Sequence, residues 1–405
     1  MNNEQPERSN FAFQYDGINP NPKLWKVKMD LGSVLKLLCI HLLLIISFIS
    51  CDEKGQSGGA VAVDPIDWDD ALEQEAEWYQ GSEAVRIADN VLLYQHESGG
   101  WPKNLDMAQV LSEADKDSIR KEQAEGGTTL SNITIDNGAT YTQMRYLARV
   151  YNATGHDRFR ESFERGVDYL VEAQYDTGGW PQYYPIREGY YEMVTFNDGA
   201  MIGAMRMLRD VAEGEDLYSF VDSDRRQRAS VAIEKGIEAI LDMQIMQDGQ
   251  RTAWCAQHDP ETLEPAWARS YEPPSFAGAA SVGIVRFLMA VEEPTPEIIA
   301  AVEDALEWYR DTAIHGYRYE EFIDEEGRED KRLVEDPDTG PLWARFYEIG
   351  TNRPIFMNRD SDIFYEYSKV PQERRGGYDW YGDWAEELLE EEYPQWSVKH
   401  NPSSE

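Results

Sequence analysis

A motif that returns at the ends of successive helical stretches constrains this 405-residue chain more than any other feature. QHESGGWPKN runs from Gln95 to Asn104, QYDTGGWPQYYP from Gln174 to Pro185, and a degenerate third copy, QIMQDGQRTAW, from Gln244 to Trp254. The starts lie 79 and then 70 residues apart. Before each stands an amphipathic run (AVRIADNVLLYQ, RGVDYLVEAQ, EKGIEAILDMQ) with apolar residues at i, i+3, i+4 and i+7, the period of a helix buried on one side. After each comes a helix-starting block: TIDNGAT (Thr134 to Thr140), TFNDGAM (Thr195 to Met201) and YEPPSFAGAA (Tyr271 to Ala280). The unit is thus helix, loop, helix, used three times. A helical hairpin cannot bury its own apolar face, so neighbours cover one another and three of them close into a ring. The expected fold is all-α: an α/α toroid of three helical hairpins with a smaller flanking helical lobe and long loops.

The lobe is expected to include a charged helix within Leu105 to Glu125. A further helix is expected over Ala300 to Thr312, and EEFIDEEGREDKRLVEDPDTG reads as a turn-rich, solvated acidic face. The aromatic segment RRGGYDWYGDW is expected to pack onto the body.

Polar groups delivered to one rim by the repeat are the candidate site. Asp136, Asn137, Asn197 and Asp198 stand where helices begin, and there a side-chain oxygen can simply cap exposed N–H groups. Pairing an acid with an amide at the same place in two repeats favours a functional role. The chain has 12 Trp, 23 Tyr and 13 Phe, enough for a core and an aromatic groove. Its net charge of −38 argues against nucleic acid or an anionic bilayer as partner. A polyanionic substrate is acceptable only where basic side chains or a divalent cation reverse the field locally.

The N-terminus points to a compartment. LLCIHLLLIISFIS, Leu37 to Ser50, has signal-peptide length and is too short for a membrane span. Its end, FISC followed by DEKGQSGG, resembles a bacterial lipoprotein processing site, with Cys51 carrying the lipid. Residues 1–50 read as a signal region with Met29 as the true start, 51–66 as a lipid-anchored tether, 67–390 as the folded domain and 391–405 as a polar tail. The expected location is outside the cytoplasm of a Gram-negative-type bacterium, with the membrane touched only through the anchor and the domain a monomer. The mature domain keeps one cysteine, Cys255, so no disulfide framework exists.

WPKN, TIDNGAT, GGWPQYYP, TFNDGAM, TAWCAQHD, ARSYEPPS, LWARFYEIGTNRPIF and RRGGYDWY, in this order, resemble the family 10 pectate lyases over roughly Ala84 to Trp384. The resemblance implies calcium-assisted β-elimination of polygalacturonate, giving 4,5-unsaturated oligogalacturonides. It implies Asp136 and Asp198 as metal ligands for Ca²⁺, with Asn137 as an oxygen donor to substrate. It also implies Arg353 as the Brønsted base, and Arg269, Lys103, Arg345 and Tyr271 as substrate-binding groups. NRDSD, Asn358 to Asp362, departs from the glycine-rich turn of that family and leaves Arg359 without a role. His258, with polar neighbours in its loop, reads as a support outside the site.

That chemistry wants these residue types. A base removes the C5 proton beside the C6 carboxylate, and the glycosidic oxygen leaves from C4. Charge develops on the carboxylate, so positive charge held close lowers the barrier most. A hard cation on carboxylate oxygens suits it. Arginine is an unusual base because the guanidinium is ordinarily never deprotonated. Two other readings compete: a cell-surface pectin-binding protein that has lost turnover, and a triterpene-cyclase-like toroid, since QHESGGW and QYDTGGW fit QxxxGxW. The cyclase reading lacks an acidic DxDD-like proton donor. A hydrolase would need two carboxylates flanking a bond, and no pair stands out.

Overall fold

The computed structural model describes residues 66–125 and 132–400. Cys51, Met29, the signal region and nearly all of the tether lie outside the described residues. Among the described residues, eight helices of twelve or more residues carry the architecture: α1 Ser82–Tyr94, α2 Glu113–Ala124, α3 Tyr141–Thr154, α4 Asp157–Glu172, α5 Ala200–Glu213, α6 Ser223–Met243, α7 Gly278–Met289 and α8 Pro296–Thr312. Helices α3, α5 and α7 pack side by side as an inner layer, while α1, α4, α6 and α8 pack side by side around them. Along α5 only Glu213, at its end, is exposed, and α7 has no exposed residue. The toroid is present.

The hairpins differ from expectation in where they turn. Helix α3 packs against α4, α5 against α6 and α7 against α8, joined by short links at the end away from the repeated motif. In the first link Gly155, at φ 68°, takes the left-handed position that ends α3, and its N–H reaches Tyr151 O at 2.7 Å. The Gln-Gly-Trp loops are therefore not hairpin turns. They run from an outer helix to the next inner one and all gather at one rim.

The motif explains how the ring is held. Gln95 Nε2 donates to Gly99 O in its own loop and to Ser162 O on α4. Gln174 repeats this with Gly178 O and Ala232 O on α6, and Gln244 with Thr252 O and Ala301 O on α8. Each amide thus staples one outer helix to the next. The indoles of Trp101, Trp180 and Trp254 are fully buried and donate to Val91, Leu170 and Ile240 carbonyls, each at 2.7 Å. A fourth tryptophan, Trp343, makes the same kind of bond to Tyr309 O at 2.8 Å, so the repeat has a fourth, motif-poor copy.

Beyond α8 the chain turns from helix to short strands. It forms short antiparallel pairs, such as Phe276–Ala277 with Phe346–Tyr347 and Trp343–Ala344 with Tyr381–Gly382. The acidic segment expected to be turn-rich is a hairpin, Tyr317–Ile323 paired with Glu329–Glu335. Tyr319 opposite Leu333 supplies its packed face, and buried Asp330 is held by both Arg375 Nε and Nη2. The segment expected to be a polar tail is helical from Tyr393 to His400. Its Trp396 is buried and donates to Met289 O at 2.8 Å. Among the described residues no helix is long and apolar enough to cross a membrane.

Candidate active site

Three inner helices begin at the same rim, and their first residues face one another. The carbonyl two residues beyond each later tryptophan accepts from the helix start of the preceding hairpin: Gln182 O from Ile135 N, Ala256 O from Phe196 N, and Arg345 O from Gly278 N. Lys103, Gln182, Ala256 and Arg345 therefore occupy equivalent positions, and two of the four are cations.

Asp136 and Asn137, and likewise Asn197 and Asp198, fill a single turn before an inner helix. The second residue of each pair is left-handed, Asn137 at φ 50° and Asp198 at φ 50°, a conformation that Asn and Asp tolerate better than other side chains do. Neither α3 nor α5 receives a side-chain cap bond from them. The capping explanation therefore fails, and the acids are available for other chemistry. Just after the first pair Thr140 sits at φ 71°, ψ −61°, rare for a β-branched residue. Its Oγ1 donates to Thr134 O at 2.8 Å and accepts from Trp101 N at 3.1 Å, which holds it there.

Asp136 is buried. Its Oδ2 accepts from Lys103 Nζ at 2.6 Å and Gln182 Nε2 at 2.8 Å, while its Oδ1 is buried with no hydrogen-bond partner. Asn137 Nδ2 donates to Asn104 Oδ1 at 3.1 Å. Asp198 differs: its side chain is open to water yet lies in a concavity walled by protein. That surrounding mass raises its pKa first, and the charge of Asp136 adds to the rise, against the opposing pull of Arg345 and Arg269. Two mutually repelling carboxylates, one with a lone oxygen, suit a hard cation. Among the described residues no group of three or more His, Cys, Asp or Glu is placed to hold a metal. The pair fits a cation whose remaining ligands come from substrate and water.

Across from the acids, Arg269 forks onto buried Glu272 through Nε at 2.8 Å and Nη2 at 2.5 Å, and Tyr378 Oη donates to Glu272 Oε1 at 2.7 Å. Burial works to raise the Glu272 pKa, but the Arg269 bonds and charge outweigh it, so the carboxyl lies below its ordinary range. Arg269 is raised in turn: burial opposes its charge, and Glu272 overcomes burial. Its guanidinium stands 5.0 Å from the Tyr271 ring. Arg345 is 4.6 Å from the Tyr378 ring and donates from Nε to Asp379 O at 2.6 Å. The structure therefore brings together Lys103, Asp136, Asn137, Asp198, Arg269, Tyr271 and Arg345.

It does not bring Arg353 to them. That guanidinium is exposed and lies 4.0 Å from the Tyr365 ring beside Glu348. Its neighbours Gly350 and Asn352 bond to Gln247 and to Trp308 of outer helix α8. Arg359, left without a role by the sequence, pairs with Glu373 and stands 5.7 Å from the Tyr271 ring, so it does border the site. Glu272, Tyr378 and Gln182 escaped the sequence reading. Position two after tryptophan marks Gln182, whereas Tyr378 comes from 106 residues beyond Glu272. His258 is fully buried, donates from Nδ1 to Leu263 O at 2.8 Å and accepts from Cys255 N at 3.2 Å. Burial pushes its pKa down to about 4, and it is a neutral support.

A toroid with acids, arginines and aromatic rings gathered on one rim is the architecture of a polysaccharide lyase. A family described as pectic acid lyase matches residues 95–389. A family 10 polysaccharide lyase from Cellvibrio cellulosa is 34% identical with a TM-score of 0.67, over 80% of this chain and 94% of that one. An aspartate-to-alanine mutant of family 10 polysaccharide lyase from the same organism, in complex with trigalacturonic acid, is 34% identical with a TM-score of 0.68, over 80% and 96%. No match was found among curated proteins. The chain belongs to the pectic acid lyases of polysaccharide lyase family 10, and it is a polysaccharide lyase.

Proposed function

We propose that this enzyme is a pectate lyase that cleaves polygalacturonate by β-elimination, with Ca²⁺ held by Asp136 and Asp198. The observation that carries this reading is the pair of uncapping acids on strained helix starts, facing Arg269 and Arg345. When bound, the ion supplies positive charge that stabilises the negative charge developing at the uronate carboxylate and weakens the hold of nearby guanidinium groups on their protons. Arg345 and Lys103 hold substrate carboxylates by charge-assisted hydrogen bonds. Tyr271, which the resemblance implies as a substrate-binding group, is itself buried and instead packs against the Arg269, Arg359 and Arg374 guanidinium groups, positioning them.

The base is assigned to Arg269 in preference to Arg353, the residue the resemblance implies. Arg269 faces Asp198, and with Nε and Nη2 engaged by Glu272 its Nη1 is the nitrogen without a hydrogen-bond partner among the described residues. Glu272 fixes the plane of the guanidinium and keeps it charged in the free protein, so the neutral form is reached only in the loaded site. There a neutral Nη1, having released its proton to solvent as the site loads, takes the C5 proton while the C4–O bond breaks to leave the C4–C5 double bond, and the departing glycosidic oxygen takes a proton from water. The same fold in a relative complexed with trigalacturonic acid supports an oligogalacturonate in this groove. The test is ultraviolet absorbance of the C4–C5 double bond on polygalacturonate with and without Ca²⁺. Reducing ends released without that absorbance would mean hydrolysis and would end the proposal. The lipid anchor at Cys51 is proposed on the processing sequence alone, and fatty-acid labelling lost in Cys51→Ala checks it.

A further inference from the structure

The loop from Ile186 to Met193 carries a cation that the proposed chemistry does not use. Arg187 is exposed at the rim, in a chain whose acids outnumber its bases 76 to 38. Among the described residues no carboxylate pairs with it. Its guanidinium instead lies over two phenol rings, 4.2 Å from the centre of Tyr191 and 5.5 Å from that of Tyr183, and Nη1 donates to Asn132 Oδ1 at 3.2 Å.

The place of this group in the site follows from its neighbours. Tyr183 bridges to Thr134, two residues before Asp136, and its phenol feels the charges of Lys103 and Asp136 as well as that of Arg187. Tyr191 packs on Tyr183 at 5.1 Å, and its carbonyl accepts from Gln182 N. Tyr190, next along, is influenced by Arg269 and Glu272. The loop therefore runs from the Lys103–Asp136 side of the rim to the Arg269 side, with an arginine at its outer edge and tyrosines between.

We infer that Arg187, stacked on Tyr191 and Tyr183, is a carboxylate-recognition site for a galacturonate unit further along the chain than those held at Lys103 and Arg345. Three physical points carry this. A planar guanidinium whose face is occupied by rings keeps its edge N–H groups for a carboxylate, which they match in a fork. Cation–π packing orients it without neutralising its charge. A site that must accept a polyanion on a strongly acidic protein also needs local cations that no acid has quenched. The inference rests on the galacturonan reading above.

The test is a length series of oligogalacturonides assayed by product absorbance on wild type, Arg187→Ala and Arg187→Lys, with melting temperature measured for each. In the wild type, KM should fall in a step at the length that first reaches Arg187. Arg187→Ala should lose that step, with KM about tenfold higher on long chains, kcat kept, and short chains unaffected. Arg187→Lys should recover part of the step, since it keeps the charge and loses the fork. Parallel length profiles for wild type and Arg187→Ala would overturn the inference. So would a KM change equal at every length together with a lowered melting temperature, which is what a loop-holding role predicts. A wild type inactive at all lengths would instead overturn the galacturonan reading.

Discussion

Asp198 shows what the site costs the fold. Its carboxyl pKa is raised above the ordinary 3.8, chiefly by the surrounding protein and then by Asp136. The folded state therefore holds the proton to a higher pH than the unfolded chain does. Stability falls as pH rises through that window, and the penalty persists at neutral pH. Asp198→Asn keeps the shape and removes the charge, so in calcium-free buffer it should melt at a higher temperature than wild type at neutral pH. At a pH below about 3.8 the two should converge, while elimination is lost throughout. A variant that melts lower at neutral pH would show that Asp198 serves the scaffold. A second residue-level prediction separates two arginines. Arg269→Ala should lower kcat by roughly 10²-fold to 10⁴-fold, as general-base loss does, and Arg353→Ala should change kcat less than about threefold, within the small effect of an exposed side chain remote from the reaction. The reverse order, read from initial rates at saturating substrate, would return the base to Arg353. Sequence pattern made Asp136 and Asp198 visible because the repeat doubled them. Glu272 was invisible because its block, YEPPSFAGAA, keeps no acid–amide pair to match the other two repeats, Tyr378 because it belongs to no repeat, and Arg353 sat in a recognisable motif whose position in space no spacing could give.

Helix ends are where sequence and structure agreed best and also where they parted. The Gln-Gly-Trp punctuation marked the ends of α1, α4 and α6 correctly, but it could not say that the short links at the other end are the true hairpin turns. Periodicity sees helices and is blind to which neighbour each one joins. The hairpin at 317–335 was missed for another reason: alternating charge masked a period-two pattern whose packed residues are Tyr319 and Leu333. Two glycines test how much the punctuation carries. At Gly178, φ is +95° and an added Cβ would meet Lys235 O at 2.3 Å, on the neighbouring outer helix. At Gly155, φ is +68° and nothing lies within 4 Å. Gly155→Ala should cost about 1 kcal/mol from backbone strain alone. Gly178→Ala adds a clash with fixed backbone at the staple between α4 and α6 and should cost roughly 3 kcal/mol or more. Chemical denaturation measures both, and equal losses would mean that the staple gives way freely.

Across the described residues, the outer helices are held in line by protein alone. Each outer helix is bound to the next by a glutamine amide, each motif tryptophan is buried with its indole bonded, and none of these links involves Asp136 or Asp198. Calcium is thus expected to be a guest at the rim and no part of the scaffold, unlike domains that unfold when their metal is removed. Chelation should abolish elimination and leave the helical circular dichroism unchanged. Added Ca²⁺ should raise stability only by mass action, about 1.4 kcal/mol at tenfold above its dissociation constant. With a net charge of −38 the protein also attracts divalent cations without any specific site, so a shift in melting temperature alone proves nothing. Asp198→Asn separates the two effects. Diffuse attraction depends on the total charge and is almost the same in the variant, whereas a site built on this carboxylate is lost with it. The wild type should gain more melting temperature than the variant over a calcium titration at fixed ionic strength, and magnesium, which demands a tighter octahedron and sheds water reluctantly, should not reproduce the difference. Equal calcium shifts in the two proteins would remove Asp198 from the metal site and leave the cation, if elimination still requires it, to enter with the substrate.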